Sequence, residues 1–254
     1  MNRETYLSRI DVKRSNFAPG EPTLRLLQRQ HLLNVPFENL DIHWKRPIVL
    51  DTEQFCKKIV EEKRGGFCYE LNGAFNELLR DIGFETRLVS ARGFNPKTKI
   101  FGPEFDHMMI VVSIGDDEFI SDVGFGDFIA QPLRIETDIE QTDREGVFVV
   151  RREDNDCFVV ARKVDDGWVP ECRFGNASRQ LSEFAEMCEF HQTSPDSHFT
   201  KGRICSVMTE NGRKTLSERT FSVTAKGVKI ETALESGDEF DRVLKQEFQI
   251  EKFK

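Results

Sequence analysis

The strongest constraint on the fold is a change of hydrophobic period at Gly83. Before it, apolar residues recur every three or four positions, at Leu71, Phe75, Leu78 and Ile82, which predicts an amphipathic helix that Gly83 ends. After it the period shortens to two, which predicts strands over 86–91, 107–114, 118–123, 147–151, 157–162 and 168–174. Helices followed by strands, instead of alternating with them, predict an α+β chain with an antiparallel sheet or small barrel.

The C-terminal part mixes both patterns. Two more strands are predicted over 203–209 and 214–220, and apolar residues at helical spacing predict a closing helix around Phe240 to Phe248. We therefore expect three regions, namely a helical region at 1–84 that carries the nucleophile discussed below, a strand-rich region at 85–192 and a mixed region at 193–254.

Charge and cysteine spacing exclude several classes of function. The chain has 44 acidic and 36 basic side chains, a net charge of -8, and its cations are scattered, so we expect neither a nucleic-acid partner nor an anionic membrane partner. The first residues lack the apolar segment of a signal peptide, and no stretch is apolar enough to span a bilayer. The six cysteines stand far apart, which predicts no metal site, no disulfide framework and a cytoplasmic location.

One cysteine has a setting that suits catalysis. Cys68 follows Gly65 and Gly66 and begins the predicted helix, and the amides and dipole of a helix N-terminus favour a thiolate. The two glycines let the backbone approach closely, and we expect their amides to be free to hold an oxyanion. For most cysteines burial in the core is the commoner role, but none of the other five has this setting.

A base and its orienting group can be placed by hairpin register. If Gly115 and Asp116 form a two-residue turn, His107 lies opposite Gly124, and Asp122 is its diagonal neighbour on the same face. A histidine and an aspartate can bridge that separation. Cys68, His107 and Asp122 are then the three members of a nucleophile, base and orienter set.

Five segments resemble the arylamine N-acetyltransferase family. They are RGGFCYELN at 64–72, FDHM at 105–108 and DVGFGD at 122–127, with VPFENLDI at 35–42 and SPDSHFTKGRICS at 194–206. The resemblance implies a papain/transglutaminase-like cysteine enzyme fold with an N-terminal helical bundle, an antiparallel β-barrel and a C-terminal α/β lid. It also implies a catalytic triad of Cys68, His107 and Asp122.

The activity that this resemblance implies is transfer of an acetyl group. Acetyl-CoA is the co-substrate, no metal takes part, and an acetyl-cysteine intermediate gives ping-pong kinetics. The acceptors are arylamines, arylhydrazines or N-hydroxyarylamines, and the enzyme acts as a monomer or homodimer.

The resemblance further assigns residues around the triad. It suggests that Phe37, Phe125 and Phe199 line the arylamine pocket, and that Arg64 and Glu38 form a structural ion pair that braces the Cys68 loop. For the CoA phosphates the candidates are Lys97 and Lys99, which the loop before His107 offers, and Gly102, which stands where the family often has a small hydroxyl residue.

Other functions are also compatible with the same residues. A transglutaminase-like cysteine hydrolase would use the same triad on peptides or glutamine amides, and a macrolactam-forming amide synthase would share the motifs without using CoA. A binding module that keeps the fold but lacks catalysis would have no need for all three triad residues.

Overall fold

The computed structural model describes residues 1–252 of the chain. Its α-helices are α1 (Arg3–Arg9), α2 (Glu21–Asn34), α3 (Leu40–Trp44), α4 (Thr52–Cys56), α5 (Cys68–Ile82), α6 (Ala185–Thr193) and α7 (Gly237–Phe248). Its strands are β1 (Phe37–Glu38), β2 (Glu85–Asn95), β3 (Ile100–Phe101), β4 (His107–Ile114), β5 (Asp117–Ser121), β6 (Leu133–Arg134), β7 (Gln141–Asp143), β8 (Gly146–Arg152), β9 (Cys157–Val164), β10 (Gly167–Gly175), β11 (Ile204–Thr209), β12 (Gly212–Ser217), β13 (Thr220–Ala225) and β14 (Val228–Ala233).

The predicted helix after Gly66 is confirmed as α5, and it is the centre of the helical region. Gly83 ends it in a left-handed conformation with φ of 108°, which a residue with a Cβ adopts only at a cost. Nearly every side chain of α5 is buried, between the other helices on one side and β2 and β4 on the other. A helix that is buried along most of its length cannot shift without loss of core contacts, so its first residue has a fixed position.

A short π-helical turn follows α4. The Asp51 carboxylate caps the start of α4 by accepting the N–H groups of Glu53 and Gln54, and the chain then widens to π geometry over Lys57–Glu61. Inserted π turns change which side chains face the core. Here Lys58 is buried, although the adjacent Lys57 is exposed.

The strand-rich region forms a nearly closed antiparallel barrel. The strands follow the order β6-β5-β4-β2-β10-β9-β8-β7, with β3 paired to β2. The Gln141 side chain on β7 closes the gap, because its amide accepts from the Arg134 N–H and donates to the Arg134 carbonyl on β6, both at 2.8 Å. Inward-facing residues such as Val89, Met109, Phe148 and Phe174 fill the barrel.

A second antiparallel sheet, in the order β1-β11-β12-β13-β14, makes up most of the C-terminal region. One face packs on α7 through Leu216, Phe240 and Leu244. The strand predicted over 214–220 is correct as far as Ser217 and wrong beyond it, because the chain turns at Glu218 and Arg219 into the separate strand β13. The turn has none of the usual glycine, proline or asparagine signals, and it is held instead by the Ser217 hydroxyl against Thr220.

The α+β fold class is confirmed. Within residues 1–252, none of the helices is long and apolar enough to cross a membrane. The limits of the three regions stay a prediction: the helical core also includes Phe184 and Cys188, which lie between the barrel strands and the second sheet in sequence.

Candidate active site

Cys68 is the first residue of α5 and is buried at the inner end of a cleft. The two glycines before it are needed for packing: a Cβ on Gly65 would lie 1.9 Å from the Pro36 carbonyl oxygen, and one on Gly66 would lie 2.7 Å from the Glu70 Cβ. The expectation of two free amides is wrong for Gly66, whose N–H points at the Pro36 carbonyl at 3.4 Å. The role of these glycines is therefore to let the backbone lie close to the chain at β1 and to the first turn of α5.

Asn72, one turn after Cys68 on α5, joins the nucleophile's helix to the barrel. Its amide nitrogen donates to the Met108 carbonyl at 2.7 Å and to Asp122 Oδ1 at 3.1 Å, and its amide oxygen accepts the Val123 N–H at 2.9 Å. Sequence reasoning missed this role, although the spacing of four residues on a helix puts Asn72 on the same face as Cys68.

The predicted register of the β4–β5 hairpin is confirmed, with Ile114 paired to Asp117 across the turn. It brings His107 and Asp122 together: His107 Nε2 lies 2.5 Å from Asp122 Oδ2, and both side chains are buried. Asp122 Oδ1 also accepts the N–H groups of Gly124 and Phe125 at 2.7 and 2.9 Å. A carboxylate with this many donors is fixed in position and can hold the imidazole in one tautomer.

The loop after Asp122 passes against Cys68. A Cβ on Gly124 would lie 2.9 Å from both the Cα and the carbonyl oxygen of Cys68, so only glycine fits there. Cys68 and His107 thus both line one cleft, and Asp122 is hydrogen-bonded to His107.

The surroundings of the Cys68 thiol oppose its ionisation. Burial raises the pKa of the thiol well above its usual value, and the charges of Asp106 and Asp122 raise that pKa further. The Tyr69 N–H donates to the sulfur and lowers the pKa in return. A lone thiolate is thus disfavoured at this position, and a thiolate there needs a positive charge nearby.

The cleft has a volume of about 1110 Å³ and lies between the barrel, α5 and the second sheet. Phe37, Phe125 and Phe199 all line it, as do Cys68 and His107. The Phe125 ring stands edge-on to His107 with centroids 4.8 Å apart, and the Phe37 and Phe199 rings are 6.1 Å apart. The inner part is therefore suited to a flat apolar ring.

The outer part of the cleft is polar and cationic. One face of the second sheet contributes hydroxyl groups there, together with the cations of Arg213, Arg219 and Lys229. The three residues predicted for the CoA phosphates lie elsewhere. Lys97 and Lys99 are exposed in the turn between β2 and β3, and within the described part of the chain neither they nor Gly102 line the cleft.

A network of buried charges stands behind the Cys68 loop. Arg64 Nη2 lies 2.6 Å from Glu38 Oε1, as the predicted pair requires, and 2.9 Å from Asp41 Oδ1. Lys58 Nζ joins it at 2.8 Å from Glu70 Oε1, 2.9 Å from Asp41 Oδ2 and 3.6 Å from Glu38 Oε1. The pair is thus part of a group of five charges, and only Arg64 and Glu38 were foreseen.

Glu70 connects this network to the nucleophile's helix. Its Oε2 accepts the Phe67 N–H at 3.1 Å, just before Cys68, so the same carboxylate binds Lys58 and caps α5. Burial raises the pKa of Glu70 to about 6, although the positive charge of Lys58 acts to lower it.

Comparison with known proteins settles the family. A family sequence model described as N-acetyltransferase matches residues 22–252. A pineal gland isozyme of arylamine N-acetyltransferase from Gallus gallus is 30% identical over 98% of this chain and 94% of its own length. The chain belongs to the arylamine N-acetyltransferase family.

Solved structures of arylamine N-acetyltransferases share the fold over nearly the whole chain. The enzyme from M. smegmatis superposes with a TM-score of 0.90 at 28% identity, covering 99% of this chain and 93% of the other. The enzyme from Mycobacterium marinum, solved in complex with CoA, superposes with a TM-score of 0.88 at 26% identity, covering 98% and 93%. The fold predicted from the family resemblance is confirmed.

Proposed function

We propose that this arylamine N-acetyltransferase carries the acetyl group on Cys68, with His107 as the proton carrier and Asp122 as the residue that orients it. The observation that carries the proposal is the cleft itself. It has a buried cysteine at a helix start, a histidine bound to a buried aspartate, and aromatic rings around both. The established family activity, transfer of an acetyl group from acetyl-CoA to an arylamine, needs these groups.

In the first half-reaction His107 takes the proton of the Cys68 thiol, and the thiolate attacks the thioester carbonyl of acetyl-CoA. Moving the proton within the pair creates a thiolate and an imidazolium together, so no unpaired charge is buried, and Asp122 stabilises the imidazolium. The tetrahedral intermediate then breaks its bond to the CoA sulfur, and His107 returns the proton to that sulfur. One thioester replaces another at little net cost.

In the second half-reaction the amine attacks the acetyl-Cys68 carbonyl. His107 takes a proton from the amine nitrogen as the new C–N bond forms, and the bond to the Cys68 sulfur breaks. The product is an amide, which is more stable than the thioester, and this difference drives the cycle forward. The rings of Phe37, Phe125 and Phe199 would hold the arylamine and limit the access of water to the acetyl-enzyme.

For the CoA phosphates we propose the cationic face of the second sheet, with Arg213 as its most enclosed cation. Arg213 Nη2 donates to the Gly126 carbonyl at 2.8 Å, which fixes the guanidinium beside the loop that follows Asp122. Lys97, Lys99 and Gly102 stay a prediction for the same phosphates, although none of the three lines the cleft in the described part of the chain. A local group of cations would explain how an acidic protein binds an anionic substrate.

The test is an initial-velocity study with acetyl-CoA and a simple neutral arylamine such as para-anisidine. The account predicts parallel double-reciprocal lines, since CoA leaves before the amine reacts. Intersecting lines would contradict an acetyl-enzyme intermediate. Hydrolysis of acetyl-CoA without any amide product would instead favour the hydrolase alternative, and amide formation that does not need CoA would favour the amide synthase.

The cysteines support a reducing, cytoplasmic location as part of this proposal. All six are free in the structure, including Cys68, and the proposed chemistry requires a reduced thiol.

A further inference from the structure

A second histidine–aspartate pair lies in the catalytic cleft. His191 Nε2 lies 3.2 Å from the backbone carbonyl oxygen of Asp106 and 3.5 Å from its Oδ1. Asp106 is a neighbour of His107 in sequence, and it lines the same cleft as Cys68. The mechanism described above uses neither Asp106 nor His191.

The backbone around Asp106 is held in one conformation. The preceding residue, Phe105, has a φ of 64°, a left-handed conformation that costs energy in a residue with a Cβ. Two hydrogen bonds keep it there: its N–H donates to the Ser90 hydroxyl at 2.9 Å, and its carbonyl accepts the Tyr69 hydroxyl at 2.7 Å. Asp106 is therefore presented to the cleft by a fixed segment.

The Asp106 side chain is enclosed on one side and open on the other. A Cβ on Gly102 would lie 2.6 Å from Asp106 Oδ2, so the carboxylate occupies the space that a side chain at 102 would need. The carboxylate remains 23% exposed, towards the cleft, while the His191 side chain behind it is 2% exposed.

His191 donates a hydrogen bond to Asp106 but carries no charge. Its Nε2 faces two oxygen acceptors and so carries the proton, and its Nδ1 lies 3.4 Å from the Ser197 hydroxyl. Burial lowers the pKa of His191 below its usual 6.5, although the charge of Asp106 acts in the opposite direction, so the ring is neutral at about pH 7. Among the residues that the structure describes, no lysine or arginine lies within ion-pair distance of the Asp106 carboxylate.

We propose that Asp106, held in place by His191, is a specificity-determining anion that favours acceptor amines carrying a positive charge over those carrying a carboxylate. The inference rests on the proposed function, because the acceptor must enter the cleft to react with acetyl-Cys68. Two unit charges about 8 Å apart, at an effective dielectric constant of about 20, change the binding constant by roughly 30-fold before screening by salt. The preferred substrates are therefore arylamines or arylhydrazines with a cationic substituent.

The experiment uses three acceptors that differ in charge and share one methylene spacer. They are (para-aminobenzyl)trimethylammonium, para-aminophenylacetamide and para-aminophenylacetate, which are cationic, neutral and anionic. In a ping-pong reaction the kcat/KM for the amine reports only the second half-reaction, so an effect of Asp106 on acetylation of Cys68 does not enter the comparison. The ratio of kcat/KM for the cation to that for the anion is the measured quantity.

We expect the wild-type enzyme to prefer the cation over the neutral amine and the neutral amine over the anion. Asp106→Asn, which keeps the size of the side chain, should lower the cation-to-anion ratio by at least about tenfold. Asp106→Ser serves the same purpose if the asparagine variant does not fold. The matched control is Asp127→Asn, since Asp127 lines the same cleft but is 68% exposed and lies 3.8 Å from Arg162 Nη1, and it should change the ratio less than about threefold.

A ratio that Asp106→Asn leaves unchanged, or that Asp127→Asn lowers equally, would overturn the inference. Failure of the proposed function looks different, because the wild-type enzyme would then acetylate none of the three amines, the neutral one included.

Discussion

Replacement of His107 by asparagine tests how the buried thiol becomes a nucleophile. The variant removes the only proposed proton acceptor for Cys68 while it keeps a polar side chain of moderate size next to Asp122. Burial, Asp106 and Asp122 all raise the pKa of the thiol and remain in the variant, so the structure predicts that Cys68 becomes an unusually weak acid.

The magnitude follows from the thiolate population. A thiol with the usual pKa of 9.0 is about 1% ionised at pH 7, and the surroundings of Cys68 can only lower that fraction. Under the proposed mechanism, His107 takes the thiol proton in the wild-type enzyme, and the thiolate is then a major species. The rate of alkylation of Cys68 at pH 7 should therefore fall by at least about 100-fold in the variant.

Iodoacetamide is the suitable reagent, because it is uncharged and the aspartates will not repel it. The rate at Cys68 is followed by peptide mass spectrometry between pH 5 and pH 10, for the wild-type protein and for His107→Asn. Cys157 is an internal control, since it is partly exposed and belongs to the barrel surface, and its rate should not change. The alkylation rate of the wild-type protein should persist at pH values well below the usual thiol pKa. The rate of the variant should rise about tenfold per pH unit up to at least pH 9.

Equal rates in the two proteins at pH 7 would contradict this prediction, since the thiolate would then not depend on His107. A wild-type rate that titrates like that of an ordinary thiol would refute it as well.

Three further predictions concern the charge network and the CoA site. Arg64→Leu leaves two buried carboxylates short of a partner and should lower the free energy of unfolding by about 3–5 kcal/mol in urea titrations; Arg80→Leu, which removes an exposed ion pair, should cost less than about 1 kcal/mol. Because the pKa of Glu70 rises from 4.5 to about 6 on folding, the folded state binds its proton more tightly, and this carboxyl group lowers stability by roughly 2 kcal/mol as pH rises from 4 to 7. The difference in unfolding free energy between wild type and Glu70→Gln should follow that slope, and a flat difference would contradict it. Arg213→Gln should raise the KM for acetyl-CoA about tenfold with little change in the KM for the amine, and an unchanged KM for acetyl-CoA would remove Arg213 from the phosphate site.

The parts of this site that sequence can predict are those set by local periodicity. Helical spacing after Gly66 placed Cys68 at a helix start, and hairpin register placed Asp122 beside His107, because both depend only on repeat geometry. The family resemblance added Phe37, Phe125 and Phe199, all of which line the cleft.

The parts that sequence reasoning missed depend on irregular backbone. The sequence patterns assign no role to Lys58, whose side chain is buried where the chain takes π geometry. The sequence patterns assign no role to Asp106, because the left-handed conformation just before it falls on Phe105 and no glycine marks it. The turn at Glu218 likewise carries no turn residue, so one strand was predicted where there are two.

The central claim is that Cys68 carries the acetyl group, and intact-protein mass spectrometry after mixing with acetyl-CoA in the absence of amine tests it most directly. We expect the wild-type protein to gain one acetyl group, mapped to Cys68, with release of one equivalent of CoA, and Cys68→Ser to gain none. Addition of an arylamine should then remove the acetyl group and yield one equivalent of amide. A protein that turns over acetyl-CoA and amine without ever carrying an acetyl group on Cys68 would contradict the account.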